Sequence, residues 1–247
     1  MEEKASKNSR LIHCITNPIS MNQCANTILA LGARPIMAEH PDEVAEITRT
    51  ASSLLLNLGN ITDTRITSMR LALKEANSTG IPVTLDAVGA ACSSLRKTLV
   101  RLFLVSGRFA CIKGNYSEIV ALYDDTYRSA GVDSDKSIDE SQAEEAALNL
   151  SAAANTIVVA TGKTDLVAYN GTVTRVEGGI KQLSEATGTG CMLGAVIATY
   201  LSAGNSAENV IKACRFFKAC GTKAGTSKGI GTFMVNLLDE IGGCHEI

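Results

Sequence analysis

SLLLNLGNITDTRITSMRLALKEANSTGIPVTLD, residues 53–86, is the stretch that decides the fold, because it predicts a strand, a helix and a second strand in succession. Ser53–Leu58 is a short apolar run that ends at Asn-Leu-Gly, which is typical of a strand buried on both faces. Thr62–Asn77 has apolar residues on one helical face, and Ile81–Asp86 predicts a strand that ends in a carboxylate. A unit of this kind is typical of a parallel sheet covered by helices.

The same alternation continues on both sides of this stretch. Before it, Leu11–Thr16 predicts a strand and Ser20–Leu31 a helix, and after it Phe109–Lys113 and Thr156–Thr161 predict strands. Asn170-Gly171 is a hairpin signal. The pattern predicts an α/β fold, a three-layer α/β/α sandwich with a mainly parallel central sheet. Because ligands bind outside the carboxyl ends of the strands in such sheets, the residues after each strand are the candidates for a site.

The chain is predicted to form one domain over residues 11–247, after a polar N-terminal tail over residues 1–10. Its length of 247 residues is within the range of a single α/β domain. The polar segment Asp124–Asp139 interrupts the pattern, and we interpret it as a surface loop rather than as a linker.

The composition is that of an ordinary globular protein, with 45% apolar residues, 19% charged residues and a formal net charge of −2. No run of Lys or Arg indicates a nucleic-acid partner or a membrane surface. The first residues lack the apolar core of a signal peptide, and no stretch approaches the ~20 apolar residues of a membrane span, so a cytoplasmic location is expected. The eight cysteines form no C-x-x-C pair, and without a signal peptide a disulfide framework is not expected.

The richest candidate for chemistry is Thr187-Gly188-Thr189-Gly190-Cys191, which precedes a long apolar helix. A glycine-rich turn that opens a helix presents backbone amides to an anion, as phosphoryl transfer requires. Gly188 and Gly190 permit close approach, and Cys191 falls in the first helical turn. The alternative is a tight turn beneath a core helix, with Cys191 filling space. The spacing does not fit the dinucleotide fingerprint, and Gly162-Lys163-Thr164 lacks the first glycine of a P-loop.

Four further candidates end a predicted strand or lie in the first turn of the helix that follows one. Lys113 could meet a phosphate, and Glu118 could hold Mg²⁺ through water; the alternative is a solvated lysine and an acid at a helix N-terminus. Asp86 could share the metal site or act as a helix cap. Thr161, which is followed by glycine, is suited to hydrogen-bond a nucleotide phosphate or ribose.

Two residues near the start of the chain are candidates for binding a substrate. Asn17 offers a donor and an acceptor after the first strand, as a polar heteroaromatic molecule would require. Met37 offers an apolar wall and a backbone carbonyl, although a methionine in such a place is more often part of the core.

Together these segments resemble hydroxyethylthiazole kinases from about Leu11 to Leu238. The resemblance lies in the ordered motifs His13-Cys14-Ile15-Thr16-Asn17, Gly32-Ala33-x-Pro35-x-Met37-Ala38, Asp86-x-Val88-Gly89, Lys113-Gly114-Asn115-x-x-Glu118-Ile119, Thr161-Gly162 and Thr187-Gly188-Thr189-Gly190-Cys191. Cys191 is the most telling element, because other ribokinase-like kinases usually carry Asp there. The resemblance implies a ribokinase-like fold and phosphorylation of 4-methyl-5-(2-hydroxyethyl)thiazole by ATP, a salvage step toward thiamine, with Mg²⁺ as the cofactor.

The resemblance also implies a role for each candidate residue. Contact with the thiazole alcohol would fall to Asn17, Met37 and Gly188, ATP binding to Lys113 and Thr161, the magnesium site to Asp86 and Glu118, and the reaction itself to Cys191, Gly188 and Gly190. Cys191 would lie beside the attacking hydroxyl. Members of the family are trimers with active sites at subunit interfaces, so Asn17 and Met37 are expected to act across an interface from Gly188.

One segment departs from the family pattern. Many members have Asp-Pro-Val-Gly-x-Gly-Ala, whereas this chain has Ala87 in place of the proline and Ala91 in place of the second glycine, which alters the turn after Asp86. Lys113 replaces an arginine found in some members. Two other functions on the same fold stay open at this point. One is a nucleotide-dependent NAD(P)H-hydrate dehydratase, against which Cys191 counts because those enzymes keep Asp there. The other is a non-catalytic nucleotide sensor, which the altered turn would permit.

Overall fold

The computed structural model describes residues 10–127, 129 and 138–243. Within these residues the strands are β1 (Leu11–Ile15), β2 (Arg34–Ile36), β3 (Ser53–Asn57), β4 (Val83–Asp86), β5 (Cys111–Asn115), β6 (Ile157–Thr161), β7 (Asp165–Tyr169) and β8 (Thr172–Val176). The helices are α1 (Met21–Ala30), α2 (Val44–Thr50), α3 (Asp63–Thr79), α4 (Ser94–Ser106), α5 (Tyr116–Tyr123), α6 (Glu140–Ala154), α7 (Gln182–Glu185), α8 (Thr189–Leu201), α9 (Ala207–Lys223) and α10 (Ile230–Gly243).

The strands form one sheet in the order β2-β1-β3-β4-β5-β6-β7-β8. All neighbours from β2 to β6 are parallel, and only the β6–β7 and β7–β8 pairs are antiparallel. The predicted mainly parallel sheet is therefore confirmed. The predicted hairpin is confirmed as well, because Asn170 and Gly171 have φ of 48° and 74° between β7 and β8, as a tight two-residue hairpin turn requires.

The unit over residues 53–86 forms as its sequence predicts. Thr62 caps α3 by accepting a hydrogen bond from the N–H of Arg65, and Gly80 ends the helix in the left-handed region at φ 74°. In β3, Leu54 and Leu56 pack into the core on one face of the sheet and Leu55 into the core on the other. The continuous apolar run is thus explained by burial on both faces.

Helices cover both faces of the sheet. The core on one face includes side chains from α2 to α6, and the cores on the other include α1 and α8 to α10. The structure therefore has the predicted α/β/α sandwich. Since β1, β3, β4, β5 and β6 are parallel, their carboxyl ends lie along one edge of the sheet, and this edge positions the candidate site.

Some predictions fall outside the described residues. Almost all of the predicted N-terminal tail does so, as do residues 128 and 130–137 of the predicted surface loop. The division of the chain into a tail and one domain therefore stays a prediction. Among the described helices, none is both long and apolar enough to cross a membrane.

Candidate active site

Side chains from four parallel strands meet at the carboxyl edge of the sheet. Asn17 follows β1, Asn57 ends β3, Asp86 ends β4 and Lys113 lies near the end of β5. None of the four is more than 4% exposed. A cluster of buried polar groups requires internal partners, because an unsatisfied buried polar group is costly.

Lys113 and Asp86 form the charged centre of this cluster. The two residues are register partners on adjacent strands, and the Lys113 Nζ lies 3.2 Å from each carboxylate oxygen of Asp86. Burial raises the pKa of Asp86, and the Lys113 ammonium opposes this effect. Burial alone would lower the pKa of Lys113, but Asp86 and Glu118 together raise it above its usual range. The lysine is therefore held as a cation between two acids, which excludes the solvated lysine considered from the sequence.

Glu118 lies in the first turn of α5 and accepts two backbone hydrogen bonds. Its Oε1 accepts from the N–H of Gly89 at 2.6 Å, and its Oε2 accepts from the N–H of Asn115 at 2.7 Å. The Asn115 side chain accepts in turn from the N–H of Glu118, so the two residues form a capping box. Burial, the largest effect, raises the pKa of Glu118 to about 7, although Lys113 opposes the rise. The helix-terminal role considered from the sequence is thus present, and it holds the acid beside Lys113 and Asp86.

Cys191 of α8 contacts the side chains of both asparagines. Its Sγ accepts hydrogen bonds from the Nδ2 of Asn57 at 3.2 Å and from the Nδ2 of Asn17 at 3.4 Å. The Nδ2 of Asn57 also donates to Asp86 Oδ2 at 3.0 Å, and its Oδ1 accepts from the Nδ2 of Asn17 at 2.9 Å. Asn57 therefore joins the sulfur to the charged pair.

The sequence interpretation missed Asn57, which it treated only as the boundary of a buried strand. The available signal was a lone amide inside the otherwise apolar run Ser53–Leu58. A buried amide needs partners for its oxygen and its two N–H groups, so its presence at the carboxyl end of a strand indicates a polar site.

Gly188 and Gly190 shape the entry to α8. Gly188 is the N-cap residue, with φ 97°, and a Cβ built on it would lie 3.4 Å from the Ser20 Cβ. A Cβ on Gly190 would lie 3.4 Å from the Lys113 Nζ. The glycines therefore let the helix N-terminus approach both α1 and the buried ammonium. Gly188 makes no side-chain cap bond at the start of α8, and uncapped N–H groups at a helix N-terminus are suited to bind an anion.

The turn after Asp86 forms despite the two alanines. The N–H of Ala87 donates to the Lys113 carbonyl at 2.8 Å, a bond that proline at this position could not make. Gly89 keeps the left-handed conformation at φ 78°. Ala91 is buried and lies outside that region, so it tolerates a Cβ. The turn thus delivers the Gly89 N–H to Glu118.

Met37 and Thr161 lie outside the cluster of buried polar side chains around Lys113 and Asp86. Met37 follows β2 and packs, half-buried, against the apolar cluster that contains Cys191. Thr161 ends β6, and its Oγ1 donates to the Gly114 carbonyl at 3.2 Å. No contact of either residue with the Lys113–Asp86 pair is seen in the described part of the chain.

A cavity of about 380 Å³ opens beyond β6, between the turn after β8 and helix α9. Gly178 and Gly179 form one wall, and Lys218 and Thr222 form the other. Over the described ranges, no three His, Cys, Asp or Glu side chains are grouped closely enough to hold a metal ion by themselves.

Comparison with known proteins shows the family and the fold of the chain. The model of the Hydroxyethylthiazole kinase family matches residues 3–245. Hydroxyethylthiazole kinase 2 of Clostridium botulinum (strain Okra / Type B1) is 44% identical over 239 residues, which cover 94% of this chain and 89% of that protein. The solved hydroxyethylthiazole kinase protein of Pyrococcus horikoshii OT3 superposes with a TM-score of 0.87 at 31% identity and covers 99% of this chain and 93% of that one. A ribokinase-like superfamily protein of Enterococcus faecalis V583 shares the fold, with a TM-score of 0.67 at 11% identity, over 97% of this chain and 88% of that one.

Proposed function

This chain belongs to the hydroxyethylthiazole kinase family and is a kinase, and from that premise we propose that it transfers the γ-phosphoryl group of ATP to the hydroxyl of 4-methyl-5-(2-hydroxyethyl)thiazole. The product is the thiazole phosphate, an intermediate for thiamine synthesis by salvage. A location in the cytoplasm suits this role. The dehydratase and the nucleotide sensor considered from the sequence are not favoured, because the relatives that share most of this chain carry the kinase name.

The observation that carries the proposal is the convergence on Cys191. The sulfur accepts from both asparagines, and Asn57 connects it to the buried Lys113–Asp86 pair. An alcohol seated beside Cys191 would lie at the N-terminus of α8, where backbone amides can stabilise a transferring phosphoryl group. The alcohol, the backbone amides of α8 and the Lys113–Asp86 pair would then lie next to one another.

We place the nucleotide along the carboxyl ends of β5 and β6. Lys113 would attract the phosphates, and Thr161 would contact ATP at the end of β6. The cavity next to Gly178 and Lys218 is large enough to hold the nucleoside end. Its volume of about 380 Å³ lies within the range of small-molecule sites.

We place the thiazole alcohol between Asn17, Met37 and Gly188. The amide of Asn17 is held by three contacts, with Asn57, Cys191 and the N–H of Ser20, so its orientation is fixed before a ligand arrives. Met37 would supply an apolar wall for the ring. A rigid polar group and a soft apolar one suit a small heteroaromatic ring.

In the reaction the hydroxyl oxygen attacks the γ-phosphorus in line with the oxygen that leaves on ADP. Such transition states are loose in most accounts, so positioning and charge neutralisation dominate over early removal of the proton. The N–H groups of Gly188 to Gly190 would stabilise the transferring group. Cys191 accepts two amide hydrogen bonds already, which supports a role in positioning the hydroxyl rather than in strong base catalysis.

The carboxylates of Asp86 and Glu118 suit Mg²⁺ as ligands that act through water rather than by direct contact. Both oxygens of Glu118 accept backbone N–H groups, and both oxygens of Asp86 face Lys113. Since Mg²⁺ keeps several of its waters in proteins, Asp86 and Glu118 would hold it through water. Two carboxylates and one ammonium leave an excess of negative charge that suits a cation. Bound there, Mg²⁺ would neutralise part of the charge on the phosphates of ATP.

We also propose that the chain forms a homotrimer with active sites at its interfaces. Ile19, just before α1, is 64% exposed, and Leu29, within α1, is 55% exposed, so each offers an apolar side chain to a neighbouring subunit. Asn17 contacts Cys191 and Met37 packs against the cluster that contains Cys191, so both residues lie beside this site within one chain. Their action across an interface from Gly188 stays a prediction. Sedimentation should give the mass of three 25.9 kDa chains; a fully active monomer would contradict the trimer.

The proposed activity is tested by coupled ADP release over a panel of thiazole, pyrimidine and sugar alcohols, with and without Mg²⁺. We expect turnover that depends on the thiazole alcohol and on the metal. A matched thiazole without the hydroxyl serves as the control for ATP hydrolysis by water. Lack of turnover with every thiazole alcohol, in protein that is folded and binds ATP, would remove the substrate assignment.

A further inference from the structure

Lys218 of α9 is a buried lysine outside the site described above. It is 7% exposed, and its Nζ lies 3.3 Å from Asp165 Oδ1. The same ammonium donates to three backbone carbonyls, those of Gly162 at 3.2 Å, Lys163 at 3.0 Å and Gly178 at 3.4 Å. An ammonium has three N–H donors, so four acceptors occupy them fully and leave none for a ligand.

The carbonyls belong to two different loops. Gly162 and Lys163 form the turn after β6, directly beyond Thr161, and Gly178 lies after β8. Asp165 adds a further contact to the first turn, because its Oδ1 accepts from the N–H of Gly162 at 3.0 Å. Lys218 therefore connects the turn that follows Thr161 to the wall of the 380 Å³ cavity, which it also lines.

The second loop is shaped around the lysine. Gly178 and Gly179 have φ of 99° and 82°, which L side chains rarely adopt. A Cβ on Gly179 would lie 3.4 Å from Cγ of Lys218, so the chain passes closely over the lysine stem. The double glycine lets a carbonyl reach the ammonium.

We propose that Lys218 is a positioning residue for the nucleotide, an internal cation that joins the turn after β6 to the turn after β8 and so holds the cavity wall at Gly178 and Gly179 in place beside the end of β6. The proposal rests on the kinase function and on the placement of ATP argued above. It assigns no contact between Lys218 and the phosphates. Its consequence is specific, because the loss of Lys218 should affect ATP and leave the thiazole alcohol, at the other end of the site, almost unaffected.

The first test compares Lys218→Met with the double variant Lys218→Met/Asp165→Asn. The single variant leaves a buried carboxylate without its cation, which destabilises the fold by itself. The double variant removes both charges, and its introduced amide keeps an oxygen for the Gly162 N–H, so it carries the test. We expect the KM for ATP to rise about tenfold and the KM for the alcohol to change less than about twofold in the double variant. Lys212→Met, on the exposed side of the same helix, is the matched control.

Nucleotide binding measured by calorimetry gives a readout that does not depend on turnover. A folded double variant with the ATP affinity and KM of the unaltered protein overturns the positioning role and leaves the kinase function intact. If the unaltered protein instead binds ATP but does not phosphorylate the alcohol, that result refutes the proposed reaction and leaves the positioning role of Lys218 untouched.

Chemical rescue separates a cation that holds carbonyls from a side chain that only fills space. In Lys218→Ala the carboxylate and the carbonyls keep a gap that ammonium can enter. Ammonium chloride should lower the KM for ATP toward that of the unaltered protein, and tetramethylammonium chloride, at the same ionic strength, should not because it cannot donate hydrogen bonds. Equal responses to the two salts, in Lys218→Ala that is shown to be folded, overturn the proposal.

Discussion

Two buried lysine–aspartate pairs lie at the same edge of the sheet, and they differ in what surrounds them. Lys113 contacts both oxygens of Asp86 and has a second acid, Glu118, beside it. Lys218 contacts Asp165 and, in addition, three backbone carbonyls. The first pair together with Glu118 therefore has an excess of negative charge, whereas the second pair is electrically balanced.

The difference indicates how each pair is used. Charge that is not balanced within the protein can be balanced by a ligand. The central pair and Glu118 therefore suit a site that binds a cation together with the phosphates of a substrate. A balanced pair whose donors are all occupied has nothing to offer a ligand, but it fixes the backbone that it contacts. A buried ion pair alone thus does not identify a catalytic group, because the groups around the pair determine whether it can bind a ligand.

The strongest test of this contrast removes both charges of the central pair. Lys113→Met alone should lower the free energy of unfolding by about 3–5 kcal/mol, because two buried acids lose their cation. Lys113→Met/Asp86→Asn should recover most of that stability in urea unfolding, yet kcat should stay lower by at least roughly a hundredfold because the charged centre is gone. Lys218→Met/Asp165→Asn is the comparison, in which kcat should be nearly retained. Equal losses of kcat in the two double variants would mean that the pairs do not differ in function.

The next largest effect concerns the helix that approaches the central pair. Gly188→Ala places a Cβ at φ 97°, 3.4 Å from Ser20, and should lower kcat/KM by roughly 30-fold by moving the first amides of α8. Gly171→Ala is the matched control, because φ is 74° there and a Cβ meets nothing within 4 Å. Both variants should lose about 1–2 kcal/mol of stability from backbone strain. A similar loss of activity in Gly171→Ala would show that strain alone explains the defect.

The sequence predicts the fold and the edge of the sheet at which Asp86 and Lys113 lie, but it does not predict their ion pair. Apolar runs and helical faces determine which residues are buried, and the carboxyl-edge rule then places Asp86 and Lys113 at one edge of the sheet without knowledge of the packing. Lys218 could not be predicted in this way, because its three carbonyl partners lie 40 or more residues away and carbonyls leave no trace in a sequence. Asn57 is intermediate, since its type is a visible signal but its partner Cys191 is 134 residues distant.

Glu118, the second acid beside the central pair, should make both the stability and the activity depend on pH. Burial raises the pKa of Glu118 from 4.5 to about 7, so the folded protein binds this proton more tightly than the unfolded chain does. Glu118 therefore contributes to the free energy of unfolding below pH 4.5 and loses this contribution as the pH rises to about 7. Activity should follow the opposite course, because the ionised form suits the metal. We expect kcat/KM to fall about tenfold per pH unit below 7.

Glu118→Gln is the control for this profile, because glutamine keeps an oxygen for a backbone N–H but has no ionisation. Its kcat/KM should be low and flat between about pH 5 and about pH 8. A profile with the same inflection as that of the unaltered protein would assign the titration to another group.

The smallest expected effect comes from the sulfur between the asparagines and α8. Cys191→Ala should lower kcat about fivefold, because a loose transition state needs the alcohol positioned more than it needs a strong base. Cys191→Asp should retain or raise activity, since a carboxylate also accepts from Asn17 and Asn57 and can take the hydroxyl proton. Cys214→Ala, at a fully buried thiol of α9 on the side of the balanced pair, should leave kcat unchanged and only lower the thermal midpoint. Complete loss of turnover in folded Cys191→Ala would instead make the thiol essential, and positioning by the two asparagines would then be insufficient for the reaction.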